Sequence, residues 1–172
     1  MNRRKCYLLL LLFIACRLPA TAQPSVKLHA FTQDILPGNI PAGVTDETGK
    51  PVNSSKNDFP TTYYIYLSYS PQAGIVPMSV SVNGCLYAFS TEVIAKTPVM
   101  KVNPNVPNEP TTTVLVPKTT NKTVRLLVKA HHEGLKSKAA SAEGIRVGYK
   151  WKGRVYYVAA KKPVRLDPVM NQ

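Results

Sequence analysis

The chain has no uninterrupted apolar run of the roughly 18 residues that a transmembrane helix needs. We therefore expect no membrane-spanning segment, which excludes a helical channel or transporter. Only three cysteines, three histidines and nine acidic residues occur among its 172 residues, so few side chains are available for metal binding or acid–base catalysis. Apolar residues make up 44 % of the chain and charged residues 18 %. This composition is typical of a folded protein with one domain, or two at most.

Residues 1–22 have the layout of a secretory signal peptide. A basic segment precedes the nine apolar residues Tyr7–Ala15, which are too few to span a bilayer. Small residues follow at Ala20 and Ala22. This pattern predicts cleavage after Ala22 and a single exported domain that comprises residues 23–172.

Cys16 provides an alternative to that cleavage site. The segment Phe13-Ile14-Ala15-Cys16 resembles a bacterial lipobox, in which the cysteine receives a lipid and becomes the new N-terminus. A lipid anchor at Cys16 therefore stays open beside cleavage after Ala22. Both alternatives predict an exported protein in the periplasm, on the cell surface or outside the cell. Cleavage after Ala22 leaves Cys85 as the single cysteine, so no intrachain disulfide is expected.

Apolar and polar residues alternate with a period of two over several segments, which is the pattern of half-buried β-strands. Helical periodicity is limited to a turn or two within residues 136–143. We predict an all-β fold, an antiparallel β-sandwich of about eight or nine strands with immunoglobulin-like or fibronectin-like architecture. Residues 33–60 are predicted to form a long irregular loop, because they are rich in proline, glycine and asparagine. The clearest alternating segments are 26–31, 62–69, 124–130 and 145–152.

Asn83-Gly84 is the strongest signal in the sequence for a two-residue hairpin of type I′. It predicts three cross-strand pairs on one apolar face. Because Cys85 belongs to that face, we expect its thiol to be structural rather than reactive. The predicted pairs are Val82 with Cys85, Val80 with Tyr87, and Met78 with Phe89.

A second hairpin surrounds residues 151–153. A two-residue Lys-Gly loop would mix apolar and charged residues on one face, whereas a three-residue loop gives one face that is wholly apolar. We therefore predict the three-residue loop, which pairs Lys150 with Arg154. The opposite face then presents Arg146, Lys150, Arg154 and Tyr156.

Charge is unevenly distributed along the chain. Residues 23–116 contain five basic and six acidic groups, whereas residues 117–172 contain thirteen basic and three acidic groups. The basic half predicts either a solvated surface or a surface that binds anions. Our functional hypothesis is capture of an acidic glycan, a lipid phosphate or an acidic protein of the cell envelope by Arg146, Lys150 and Arg154, with Tyr156 as a flat apolar contact. The export signal argues against an intracellular nucleic-acid partner.

Motifs for catalysis, metal binding or cofactor binding are not found. The sequence has no glycine-rich phosphate loop and no nucleophile elbow, and its acids suggest no catalytic pair. His131 and His132 are adjacent and would point to opposite faces of a strand, so they are not expected to chelate one metal ion. We predict no enzyme activity, no metal site and no cofactor.

Two tyrosines define the alternative binding surface. Tyr64 and Tyr66 fall on the face of their strand opposite to Tyr63 and Tyr69. If exposed, they would stack on sugar rings or anchor a protein interface. The interpretation we favour is a central strand whose second face is covered. The alternative function is an envelope adaptor that recognises a protein partner by a strand edge or by this tyrosine face.

Overall fold

The computed structural model describes residues 23–36, 61–103, 111–129, 135–136 and 144–170. Most of these residues lie in strands and none in an α-helix, which confirms the all-β prediction. Across these ranges no helix is long and apolar enough to cross a membrane. The described strands are β1 Val26–Leu36, β2 Thr61–Tyr69, β3 Val76–Val82, β4 Cys85–Tyr87, β5 Phe89–Ile94, β6 Val99–Asn103, β7 Thr111–Val116, β8 Lys122–Val128, β9 Leu135–Lys136, β10 Ile145–Trp151, β11 Arg154–Ala160 and β12 Val164–Met170, with a short 3-10 turn at Pro71–Ala73.

The strands form two five-stranded sheets and one hairpin. The first sheet has the order β12-β1-β2-β8-β5, the second has the order β11-β10-β3-β4-β9, and β6 pairs with β7. Neighbouring strands run antiparallel, except that β1 and β12 run parallel. The chain crosses between the two large sheets after β2, β4, β8 and β11. The predicted signal peptide, and residues 137–143 of the predicted helical turn, lie outside the described residues.

Both large sheets contribute side chains to one apolar core, an arrangement that fits a β-sandwich. The alternation predicted for β10 is confirmed by its burial, since Ile145, Val147, Tyr149 and Trp151 are buried while Lys150 is exposed. In β2 both faces are buried, and the alternation appears in the packing, because Ile65, Leu67 and Tyr69 join the core between the sheets whereas Tyr66 joins a second cluster. Burial of these side chains is the main force that holds the sheets together. The most deeply buried core residues are Ile65, Leu67, Leu126, Val80, Ile145, Val147 and Tyr149.

The hairpin at Asn83-Gly84 forms as predicted, with both turn residues at positive φ, 45° and 84°. The pairs of Val82 with Cys85 and of Val80 with Tyr87 are confirmed, and Cys85 is half-buried. The third pair, Met78 with Phe89, is wrong. Phe89 begins β5 and pairs with Val128 of the first sheet, because the chain leaves the second sheet after three residues of β4.

The second hairpin differs from the prediction. It has a two-residue loop, Lys152-Gly153, with φ values of 45° and 78°, and Trp151 pairs directly with Arg154. Aromatic packing holds this register, since the Tyr156 ring lies 5.9 Å from that of Tyr149 and 5.7 Å from that of Trp151. Arg154 is tolerated on the inward side because it stands at the hairpin end, where its side chain reaches solvent.

The first strand is longer than expected. β1 continues to Leu36, so residues 33–36 of the predicted loop are strand, and residues 37–60 lie outside the described ranges. Gln33 explains why this polar stretch stays in the sheet. Its side chain is 3 % exposed, and its Nε2 donates a hydrogen bond of 2.7 Å to the carbonyl oxygen of Asp167 in β12.

Candidate functional site: the open face of the second sheet

The outer face of the first sheet, here called the covered face, is occupied by the β6–β7 hairpin. Leu115 and Val116 of β7 pack in one cluster with Phe31 and Tyr66 of the sheet. Tyr66 is only 3 % exposed, and burial raises the pKa of its hydroxyl. The interpretation of a covered second face is therefore confirmed for Tyr66, which is not available to a ligand.

Tyr64 is also engaged within the protein. Its hydroxyl donates a hydrogen bond of 3.0 Å to Oε1 of Gln33 and accepts one from the Lys101 ammonium group of β6. The same ammonium lies 4.2 Å from the centroid of the Tyr64 ring, and the Arg125 guanidinium lies 5.8 Å from it. Tyr64 thus ties the hairpin to the sheet instead of presenting a free ring.

The outer face of the second sheet, here called the open face, has no described strand over it. Its centre is Gly148 of β10, which pairs with Ser79 on one side and with Tyr157 on the other. A Cβ at this position would lie 2.4 Å from Ser79 Oγ and 3.0 Å from Tyr157 Cε1. Glycine therefore lets the serine and the tyrosine ring close over the strand, which makes a low, flat platform.

Arg146 and Tyr157 form the main feature of this platform. The guanidinium carbon lies 3.9 Å from the ring centroid, and the tyrosine is 54 % exposed. Such a stacked pair contributes about 0.5–1 kcal/mol at an exposed site. Stacking uses the flat side of the guanidinium and leaves its N–H groups at the rim, where they can donate to a carboxylate, phosphate or sulfate.

Lys150 supplies a second cation on the same face. It pairs with Val155 on one side and Val76 on the other, and both valines are more than half exposed. It lies four positions after Arg146 in the same strand, a distance of about 13 Å. The ion pairs found among the described residues, Arg125 with Glu92 and Arg165 with Asp34, involve neither cation of this face.

The two-residue loop divides the four predicted site residues between two faces. Arg146 and Lys150 lie together on the open face, as predicted. Arg154 and Tyr156 point to the inward side, because they pair with Trp151 and Tyr149. The predicted pairing of Lys150 with Arg154 is therefore wrong.

Tyr157 takes the place that the sequence analysis gave to Tyr156. The sequence feature that could have predicted this register is the Lys152-Gly153 pair, which forms a two-residue turn with both residues at positive φ. A type I′ turn there fixes Gly148 opposite Tyr157.

A polar cleft of about 310 Å³ lies apart from the open face. Its charged groups are Asp34 and Arg165, which form an ion pair. The hydrogen bond from Arg165 lowers the pKa of the Asp34 carboxyl, and a hydrogen bond of 3.0 Å from the Thr61 hydroxyl adds to this. Because the two charges neutralise each other, this cleft attracts an anion less than the open face does.

Metal ligands do not assemble in the described residues, where no group of three or more His, Cys, Asp or Glu could hold an ion. His131 and His132 lie outside those residues. His29 of β1 is half-buried, and its pKa is lowered by burial and, to a smaller extent, by the charge of Lys27.

Comparison with known proteins finds no protein family, no curated protein and no solved structure that matches this chain. Its function is therefore inferred from the chemistry of the open face.

Proposed function

We propose that this chain is an exported, non-catalytic binding domain that captures an anionic ligand of the cell envelope on the open face. Arg146 and Lys150 supply the charge, and Tyr157 supplies a flat apolar surface. We further propose that the domain is a β-sandwich of immunoglobulin-like or fibronectin-like type that acts after removal of residues 1–22.

One observation supports the proposal most strongly. The Arg146 guanidinium lies 3.9 Å from the ring centroid of an exposed tyrosine, and no described carboxylate forms an ion pair with it or with Lys150. Anion binding is most favourable at a cation that has no acidic partner, because no existing ion pair has to be broken. A guanidinium already held against a ring also loses little conformational entropy when the anion binds. A purely solvating surface does not require such orientation.

The binding test uses three defined polyanions as probes: dextran sulfate, poly-glutamate and vesicles that contain phosphatidylglycerol. The double variant Arg146→Gln/Lys150→Gln should weaken binding of the preferred probe by about tenfold or more at low salt, since two oriented donors are lost. Binding by the unchanged chain should fall steeply between ~50 and ~500 mM salt, because salt screens exposed charges.

A matched control distinguishes the contribution of the open face to binding from the contribution of the net charge of the chain. Lys96 and Lys118 are exposed and lie away from the open face, so Lys96→Gln/Lys118→Gln removes the same two charges elsewhere. We expect this control to bind within about twofold of the unchanged chain. Equal losses in both double variants would mean that only net charge matters, and the proposed site would be wrong.

Export is tested by the N-terminus of the protein recovered from cells. A chain that begins at Gln23 supports signal-peptide cleavage, and a lipid-modified Cys16 supports the lipoprotein alternative. A cytoplasmic chain that retains residues 1–22 contradicts the export part of the proposal.

A further inference from the structure

Strand β11 is an edge of the second sheet among the described residues. Its pairing with β10 is unbroken from Trp151–Arg154 to Ile145–Ala160. In a two-residue hairpin the pair that flanks the loop exchanges both backbone hydrogen bonds, and hydrogen-bonded pairs then alternate with pairs that are not. Arg154 and every second residue after it therefore direct their N–H and C=O groups to β10.

The residues between them direct their backbone groups to the other side. These are Val155, Tyr157 and Ala159, and no described strand pairs with them along that edge. Such a row of backbone donors and acceptors is a template for an added strand. It is uninterrupted by proline over the whole of β11.

The same three residues carry their side chains on the open face. A strand added to β11 would lie about 4.8 Å from it, next to the exposed side chains of Val155 and Tyr157. The Tyr157 ring lies over Gly148 of β10, and the Arg146 guanidinium lies 3.9 Å from the centroid of that ring. The cation is therefore one strand away from the added strand, within reach of a long acidic side chain that extends across Tyr157.

Basic residues stand at both ends of the edge. Lys152 and Arg154 are exposed at the hairpin end, and Lys161 and Lys162 are exposed where β11 ends. No described acid pairs with any of the four. The edge therefore has positive charge at each end, and Arg146 lies near its middle on the neighbouring strand. We call Lys152, Arg154, Lys161 and Lys162 the basic frame of this edge.

We propose that β11 binds an extended acidic segment of a partner polypeptide as an additional strand of the second sheet. This inference rests on the proposed function, because it names the anionic ligand of the open face. Backbone hydrogen bonds supply affinity along Val155, Tyr157 and Ala159, while the basic frame selects a segment rich in glutamate and aspartate. Apolar residues at alternate positions of that segment pack beside Tyr157.

A second copy of this chain fits the edge poorly. Antiparallel self-pairing about Tyr157 would bring Lys152 and Arg154 of one copy against Lys161 and Lys162 of the other. Parallel self-pairing would place each cation beside its own counterpart. Like charges opposite each other destabilise a sheet, so the frame that attracts an acidic partner also disfavours self-association.

The test uses a synthetic peptide of alternating glutamate and valine as the probe, with dextran sulfate as a polyanion that has no peptide backbone. Val155→Pro removes one outward N–H and leaves the ladder to β10 intact, since the N–H of residue 155 faces away from β10. We expect it to bind the peptide about tenfold more weakly than the unchanged chain, with dextran sulfate binding kept within about twofold. Val155→Thr keeps the N–H and the branched side chain, and should bind both probes as the unchanged chain does.

A second measurement guards against misfolding of the proline variant. The same peptide, N-methylated on its backbone, is offered to the unchanged chain and should bind about tenfold more weakly, because its charge is kept while its donors are lost. Hydrogen exchange should also slow at the amides of Val155, Tyr157 and Ala159 when the unmethylated peptide is present.

The outcomes separate this inference from the proposed function. If Val155→Pro and N-methylation leave peptide binding unchanged while Arg146→Gln/Lys150→Gln weakens both probes, the strand-addition inference is wrong and the anion site stands. If the unchanged chain binds neither of these probes, nor poly-glutamate, nor the phosphatidylglycerol vesicles at low salt, both proposals fail. A homodimer that Val155→Pro dissociates would assign the edge to a second copy and overturn the acidic-partner inference.

Discussion

The covered and the open face both carry a tyrosine next to an arginine, yet the two pairs have different surroundings. On the covered face Tyr66 is 3 % exposed, and Arg125, its cross-strand partner, pairs with Glu92 at 3.7 Å. On the open face Tyr157 is 54 % exposed and Arg146 stacks on its ring without a described acid. The difference is the β6–β7 hairpin, which buries Tyr66 while Arg125 stays partly exposed. The same residue types therefore have a structural role where the hairpin covers the sheet, and they are available for binding where no described strand covers it.

The sharpest contrast should be in stability. Tyr66→Ala removes a buried ring and leaves a cavity against Leu115 and Val116, which should lower the free energy of unfolding by about 3–5 kcal/mol. Tyr157→Ala should cost less than about 1 kcal/mol, because the ring is half exposed. Urea denaturation of both variants measures the difference. Similar losses for the two would show that the open face is also covered.

Gly148→Ala should have the next largest effect. The added methyl group would overlap Ser79 Oγ and press on the Tyr157 ring, so overpacking should destabilise the chain by about 1–2 kcal/mol. The displaced ring should also weaken polyanion binding. Ser79→Gly in the same chain removes the closer clash and should restore part of the stability, which the same denaturation experiment would detect.

The two arginines should differ by a small amount in stability and by a larger one in binding. Arg125→Gln breaks a partly exposed ion pair with Glu92 and should cost a few tenths of a kcal/mol. Arg146→Gln removes the cation–π contact with Tyr157 and should cost about 0.5–1 kcal/mol, and it should weaken binding to dextran sulfate several-fold. Thermal unfolding and a binding titration on both variants test this, and a binding loss for Arg125→Gln equal to that for Arg146→Gln would contradict it.

The smallest effect should be a pH dependence that belongs to the covered face. Burial lowers the pKa of His29 in the folded chain, so below about pH 6.5 the unfolded chain binds the proton more readily. Stability should therefore fall as pH drops from 7 toward 5, until the folded imidazole is also protonated. His29→Gln should flatten this part of the profile. An unchanged slope in the variant would assign the dependence to other groups.

The features that the sequence analysis predicted correctly depend on neighbours along the chain. Alternation in β2 separates Tyr66 from Ile65 and Leu67, and Asn83-Gly84 fixes the register of β3 and β4 by its own backbone preference. One error arises where distant residues decide: Met78 does not pair with Phe89, because β5 pairs with β8. The other error is local. The two-residue turn at Lys152-Gly153 and the packing of Tyr156 on Tyr149 and Trp151 set a register that the preference for uniform faces did not predict.

The all-β class, the alternating strands, one hairpin register and the basic character of residues 117–172 are predictable from the sequence, since each follows from local backbone preference or from composition. Three features are visible in the folded chain alone: which outer face is covered, which aromatic residue joins Arg146, and which strand forms an open edge. Those outcomes depend on where β6–β7 packs and where β11 pairs. Such long-range contacts are selected by the summed burial of many side chains, and no single segment encodes them.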